Sequence, residues 1–409
     1  MGEGAHVIAD MHCHYPTHLL AEDPGLELAA ADPATQAMTK VSGRPGWVNK
    51  LRALALKTAA NVLNYEDDRW RVSLDELERG DVRAVFSVLM EPGAEYDFDE
   101  PYGAPPEDTY FGDILHRLKG VEDDLERIDP DNERHRIVAS AAELDETTAA
   151  GKVAFMHCVE GGFLLGKSPE EIRHNVGLLK EKHVVYVTLA HLFWRDVATN
   201  APAIPFLGER LYRTIFCQPK VGLTELGRAA VEAMYEHRIL IDLTHMSERA
   251  MDETLDLLDE LDGKTGAKPG EYPVLATHAG YRFGKQEYML TAERIRRIAV
   301  RDGVIGLILA RHQLNDHAGV VDPDDPKETP KVLQRHIDAI RRSVPSHTNA
   351  HVGIGSDLDG FIKPTVAGIE TAGDLASLKA PLREAYGDDA EAILCGNAVR
   401  AAKVALGRR

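Results

Sequence analysis

Residues 5–14 read AHVIADMHCH, an apolar run that ends in two histidines two places apart. Side chains alternate between the faces of a strand, so His12 and His14 point one way and Cys13 the other, and both imidazoles can reach one cation. Seven further runs of this kind follow, at 82–90 (VRAVFSVLM), 153–159 (VAFMHCV), 184–190 (VVYVTLA), 239–244 (ILIDLT), 273–277 (PVLAT), 303–310 (GVIGLILA) and 351–356 (HVGIGS). Several are apolar almost throughout, which suits strands buried on both faces of a parallel sheet. The segments between them carry helix signals. Ser168-Pro169-Glu170-Glu171 combines an N-cap serine, a proline at the first helical position and a capping-box glutamate, and Thr224, Ser247 and Thr291 each open an amphipathic run. Eight alternating strand–helix units predict an α/β fold, a (β/α)8 barrel of the TIM type, in preference to a doubly wound sheet. The expectation is a single barrel domain over 1–409, with no repeat or linker. It carries insertions at about 15–80 and at 91–110 (EPGAEYDFDEPYGAPPEDTY), long enough to cover an active site.

Composition narrows the function. With 66 acidic against 47 basic residues the net charge is −19, which repels nucleic acid and anionic membrane surfaces and leaves small molecules or proteins as partners. The four cysteines, at 13, 158, 217 and 395, have no CxxC spacing and read as reduced thiols. The first strand starts within ten residues of Met1, which leaves no room for a secretory signal, and no run nears the roughly 18 apolar residues of a membrane span. These features predict a cytoplasmic protein.

Ligand-type residues fall at the carboxyl ends of the predicted strands, the end at which barrel active sites lie. They are His12 and His14 on the first, Glu160 on the third, His191 on the fourth, His245 on the fifth, His278 on the sixth and Asp357 on the eighth. Packing alone does not explain such a set, because buried polar groups are costly without a partner. His12, His14, Glu160, His245 and His278 supply nitrogen and oxygen donors suited to zinc, and also to manganese, iron or cobalt. The economical arrangement holds two divalent ions, with Glu160 bridging, His12 and His14 on one side and His245 and His278 on the other. A metal-bridging hydroxide would then attack a polarised carbonyl without a protein nucleophile. Asp357 is placed to move the proton from water to leaving group, and His191 to bind the carbonyl or its oxyanion. Cys13 and Cys158 are expected to face away, His157 to be structural, and Gly161-Gly162 to give a tight turn beside the ions. Asp357 is preferred to Asp359 because the strand ends between them.

The chain resembles the membrane (renal-type) dipeptidases, peptidase family M19 of the amidohydrolase superfamily. The segments that carry the likeness are DMHCH at 10–14, VEGG at 159–162, YVTLAH at 186–191, GLTELGRAAVEAMYEHRILIDLTHMS at 222–247, PVLATHAG at 273–280, VGIGSDLDG at 352–360 and GNAVRAA at 396–402. The resemblance implies a (β/α)8 barrel, a binuclear zinc centre bridged by Glu160, a substrate-binding His191, a homodimer, and hydrolysis of dipeptides or similar short amides. Two features depart from it. The family's first strand carries His-x-Asp, whereas this one carries His12-Cys13-His14, the form of the wider superfamily. The arginine with which the family grips the substrate carboxylate falls near Met289, with Arg282 and Arg311 as substitutes. The alternatives are therefore the same fold and metals acting on a lactone, an N-acyl amino acid or another small amide, or a catalytically silent barrel serving as a binding subunit.

Overall fold

The computed structural model describes residues 7–21, 70–95, 103, 107, 109–204, 207–360 and 364–407. Nine strands form one parallel sheet: β1 Ile8–Cys13, β2 Val82–Leu89, β3 His135–Ile137, β4 Val153–Glu160, β5 Tyr186–Thr188, β6 Leu240–Asp242, β7 Leu275–Ala279, β8 Val304–Leu307 and β9 Val352–Ile354. Their order is β2-β1-β9-β8-β7-β6-β5-β4-β3, and β4 also pairs with β2 from Ala84↔Ala154 to Leu89↔Val159. That last ladder closes eight strands into the expected (β/α)8 barrel, and all eight predicted runs are its staves.

The ninth strand was not expected. β3 pairs only with Val153–Phe155 at the start of β4, while β5 pairs with Val159 and Glu160 at its end. Three residues, only one of them buried, leave no periodicity to read. Elsewhere the strands behave as their composition demands: every residue of β1, β4 and β7 is buried, between side chains that fill the barrel and helices that cover it.

Capping sets where those helices begin, and hence how far each strand end projects. Thr224, Ser247 and Thr291 accept from the amides of Gly227, Ala250 and Arg294 at 3.2, 3.1 and 3.5 Å. Ser168 accepts from Glu171 at 3.2 Å, but the reciprocal half of the expected capping box is displaced: Glu171 accepts from Lys167, at 3.0 Å, one residue beyond the cap. Two glycines bring backbones close beside the site. A Cβ at Gly306 or Gly355 would stand 2.0 or 1.7 Å from the Thr277 carbonyl oxygen, so only glycine lets the neighbouring chain lie against β7 there.

Of the first insertion, Tyr15–Ala21 is a 3-10 turn and Leu74–Arg79 a helix; most of the insertion, 22–69, and with it the question of a cover over the site, lies outside the described residues. Of the second, Pro92–Glu95 forms a helical turn that carries Glu95 into the interior.

Candidate metal centre

The seven residues singled out from the sequence come together in one buried cluster at the carboxyl end of the barrel. His12 lies in β1 and His14 just after it, Glu160 closes β4, and His278 lies in β7. His191, His245 and Asp357 each follow their strand by three residues, on β5, β6 and β9. Glu160 is the centre of the cluster. Its Oε1 lies 3.5 Å from His12 Nε2 and 3.6 Å from Nε2 of both His245 and His278; its Oε2 lies 3.4 Å from Nε2 of both His14 and His191. Asp357 Oδ1 is 3.2 Å from His14 Nε2 and 3.9 Å from His12 Nε2.

Three groups have donor atoms that all lie within 4.8 Å of one another: His12 with His14 and Asp357, His12 with Glu160 and His278, and Glu160 with His191 and His245. The grouping differs from the pairwise one read from the sequence. His12 faces the same carboxylate oxygen as His245 and His278, while His14 shares the other with His191, so His191 and Asp357 stand at ligand distance as well.

A hydrogen-bond chain behind the cluster determines which nitrogen each ring presents. Asp242, the last residue of β6, accepts from Thr188 Oγ1, Thr244 Oγ1 and Thr277 Oγ1, each at 2.7 Å, and from the amide of Thr277 at 2.9 Å. Thr277 has one hydroxyl hydrogen and Asp242 takes it. Its oxygen must therefore accept from His12 Nδ1 and His278 Nδ1, both 2.9 Å away. Tyr186 donates to the Met11 carbonyl at 3.0 Å and can likewise only accept from His12 Nδ1, at 2.8 Å. Both rings thus carry their proton on Nδ1 and turn the Nε2 lone pair toward Glu160, the form in which a histidine binds a metal.

The electrostatics agree for His278, whereas at His12 burial is outweighed by Glu160 and the pKa is raised, so a divalent ion at its Nε2 would take the place of a proton. Burial would raise the Glu160 pKa, but His191, His12 and His14 hold it well below the ordinary carboxylate range, so it stays charged. Burial, with neighbouring histidines, drives His245 and His278 well down and keeps them neutral. For His191 burial is outweighed by Glu160 and Glu95, which raise its pKa to about 9. Glu95 makes that contact at 3.1 Å to Nδ1 and holds the Phe193 amide with its other oxygen. The donor set fits divalent ions on a further observation: His12 Nε2 and Glu160 Oε1 are completely buried with no hydrogen-bond partner, which a metal would satisfy.

The other sequence candidates fall outside this chemistry. The Cys13 thiol approaches the Phe86 carbonyl, and burial pushes both it and Cys158 well above the ordinary thiol range. His157 is buried away from the cluster. Asp359 accepts from the amides of Arg71 and Val72. Gly161 adopts φ 114°, and its amide reaches the Thr188 carbonyl, so the chain turns sharply past the metal-type residues. Arg282 is spent on the carbonyls of Met289 and Glu287, each at 2.7 Å, and on Glu248; Arg311 is spent on Asp324 and the Thr365 carbonyl. Met289 is buried, and its neighbour Tyr288 donates to the His278 carbonyl at 2.7 Å. Above the cluster a cavity is lined by His14, His191, His245 and Asp357 together with Met90, Leu192, Ala203, Tyr288, His312 and Gln313. None of these described lining residues is lysine or arginine.

Sequence reasoning had not singled out Glu95, Asp242, Thr277, Tyr186, His312 or Gln313. Asp242 carried a signal, an acid interrupting the apolar run ILIDLT. Glu95 carried none, being one acid among many in its segment.

Comparison with known proteins sets this geometry in a family. The sequence profile of the membrane dipeptidases (peptidase family M19) matches residues 8–406. Dipeptidase tcpJ of Claviceps purpurea (strain 20.1) is 26% identical over 330 residues, 78% of this chain, although the match spans only 65% of that relative's length. An uncharacterized protein in the pqqA 5′ region of Klebsiella pneumoniae is 29% identical over 246 residues, 60% of this chain and 78% of that one. Among solved structures, the dipeptidase AC, a metallo peptidase of family M19, superimposes with a TM-score of 0.69 at 19% identity, covering 98% of this chain and 99% of the other. A metallo peptidase from Rhodobacter sphaeroides, bound to a phosphinate mimic of the dipeptide L-Ala-D-Ala, gives 0.68 at 19% identity over 97% and 98%. The two structures share the fold, and the profile match over nearly the whole chain carries the assignment: the chain belongs to the membrane dipeptidase family, peptidase family M19, and is an enzyme of the metallohydrolase type.

Proposed function

We propose that the enzyme hydrolyses the amide bond of a dipeptide or a similarly small amide, with two divalent ions, zinc foremost, held by His12, His14, Glu160, His245 and His278. The observation that carries this reading is the set of histidine Nε2 atoms within 3.6 Å of the buried Glu160 carboxylate. When bound, such ions acidify a water and polarise the scissile carbonyl. The remaining work belongs to the chain's own side chains. Asp357, the carboxylate that lines the cavity, takes the proton from the attacking water and returns it to the nitrogen as the C–N bond breaks. His191, its proton held by Glu95 and Glu160, donates from Nε2 to the carbonyl oxygen as negative charge gathers there. The Asp242–Thr277 pair keeps His12 and His278 in their metal-binding tautomer.

The dipeptide as first substrate is supported by the dipeptidases among the relatives, and the mimic bound by the Rhodobacter sphaeroides protein makes a D-residue in second place worth including. The cavity favours a second reading of the same centre, a small amide or ester with no free carboxylate, because its described lining holds no lysine or arginine. Elemental analysis should find near two metals per chain, and a panel of L,L and L,D dipeptides, their C-terminal amides, N-acyl amino acids and lactones should identify the substrate. Two bound metals with no turnover of any amide would overturn the amidase reading; less than one metal per chain after reconstitution would overturn the centre itself.

A further inference from the structure

Two side chains in the cavity take no part in the chemistry above. The helical turn Arg311–Leu314 follows β8 at the same end of the barrel. It brings His312 and Gln313 to the cavity that holds His14, His191, His245 and Asp357. The turn's own backbone is tied down: the Arg311 amide donates to the Pro364 carbonyl at 3.1 Å, the His312 carbonyl accepts from Gln286 at 3.1 Å, and the Leu314 carbonyl accepts from His336 at 2.9 Å. The two side chains are not. Both ring nitrogens of His312 and the amide oxygen of Gln313 are buried with no hydrogen-bond partner among the described residues. Each such atom costs about 1–3 kcal/mol if nothing ever meets it, so three together on a fixed wall of a reaction cavity are sited for a ligand.

We propose that His312 and Gln313 form a recognition subsite for the part of the substrate beyond the scissile bond, and that they select an uncharged group that both donates and accepts hydrogen bonds, such as a carboxamide, over a free carboxylate. The inference rests on the hydrolase reading given above. A neutral imidazole offers one donor and one acceptor, and a glutamine side chain offers both kinds. A carboxamide can answer all of these, whereas a carboxylate only accepts and would leave the acceptors unmet. Burial keeps His312 in the neutral form, pushing its pKa down to about 4. The described lining provides no lysine or arginine to grip a carboxylate and it already contains Asp357, while the protonated His191 is engaged by Glu95 and Glu160. A water molecule could meet the same atoms, but an enzyme whose wall binds only water would show no selectivity that depends on these two residues.

The test uses the metal-loaded enzyme with matched pairs, each dipeptide beside its own C-terminal amide. The wild type should cleave the amide with a kcat/KM about tenfold or more above that of the acid. In H312F and in Q313L that ratio should fall toward one, mostly through KM of the amide, while H312N should keep part of it. Metal content and thermal midpoint of each variant, measured alongside, show that the fold is intact. If one variant fails to fold, the other and the wild-type ratio still decide. A wild type that prefers the free acid, or an amide preference that both variants retain, would overturn the subsite. If neither member of any pair turns over with two metals bound, the amidase reading fails and takes this inference with it.

Discussion

Removing one hydroxyl from behind the metal-type histidines should loosen the ions without touching any proposed ligand. In Thr277→Val the shape of the side chain is kept and its oxygen is lost. His12 Nδ1 still has Tyr186 at 2.8 Å, whereas His278 Nδ1 loses the acceptor it had at 2.9 Å. Asp242 loses one donor but keeps Thr188, Thr244 and the Thr277 amide. The damage therefore concentrates on His278: its Nδ1–H is left buried and unpaired, at about 1–3 kcal/mol, and its ring is free to rotate or to adopt the other tautomer. Loss of such a supporting contact weakens metal binding by roughly 10- to 100-fold. Competition with a chelator, followed by metal content per chain, reads this directly, and urea unfolding of the metal-free protein reads the stability cost. Thr277→Ser, which restores the oxygen, should recover both, and Tyr186→Phe should do less harm because Thr277 remains on His12. A Thr277→Val enzyme that releases its metals at the wild-type chelator concentration would refute the proton accounting.

Further outcomes follow from the same geometry. Glu160→Gln should lower metal content and activity together, measured by elemental analysis and turnover, since its two oxygens face five imidazole nitrogens. Asp357→Asn should keep both metals and lose turnover if that carboxylate moves the proton; loss of metal instead would make it a ligand beside His14, 3.2 Å away. Glu95→Gln should shift the alkaline limb of the kcat/KM profile toward lower pH by about one unit, because one of the two carboxylates that raise His191 to about 9 is gone; an unmoved limb would remove His191 from the proton-donor role. His157 and His336 are pushed down by burial from 6.5 to about 4, so the unfolded chain binds more protons between those values. Stability is then full above about pH 6.5 and falls toward pH 4, by about 2 kcal/mol per histidine at pH 5. Asp10, raised by burial to about 6, has the opposite sign, so the wild type should be compared with His157→Leu: the variant's urea midpoint should fall less between pH 7 and pH 5, and parallel slopes would discard the assignment.

The barrel was legible because its strands are apolar on both faces and leave helical periodicity between them, a pattern that survives in single residues such as Val153 to Val159. The strand β3 was not, since only His135 of its three residues is buried. At the site, the identities and the end of the barrel could be read, but the way the side chains divide could not. Alternation along a strand predicts His12 and His14 on one side, and both rings turn to Glu160, His12 from within β1 and His14 from just past its end. After the strands end it no longer applies: His245 and Asp357 sit at φ 65° and 59°, in the left-handed region that costs a non-glycine residue about 1–2 kcal/mol.

That backbone cost is borne because each residue is held from outside its own strand, the Asp357 amide by the His12 carbonyl at 2.8 Å and the His245 carbonyl by the Ala201 amide at 2.7 Å. These tertiary contacts turn the two side chains inward to meet Glu160 and His14, and no local pattern in the sequence encodes them. The same holds for the residues that sequence reasoning passed over. Asp242 and Thr277 act through proton accounting among four strands, and Glu95 through a helical turn whose only sequence mark is one more acid. Substituting the supporting contacts should therefore disturb the centre as much as substituting some of its proposed ligands, and a series ordered by the number of site hydrogen bonds each residue makes, from Asp242 through Thr277 to Tyr186, should rank metal affinity in that order of loss. An affinity that followed only the residues facing Glu160, and ignored that order, would mean that the strand ends hold the rings without help from behind.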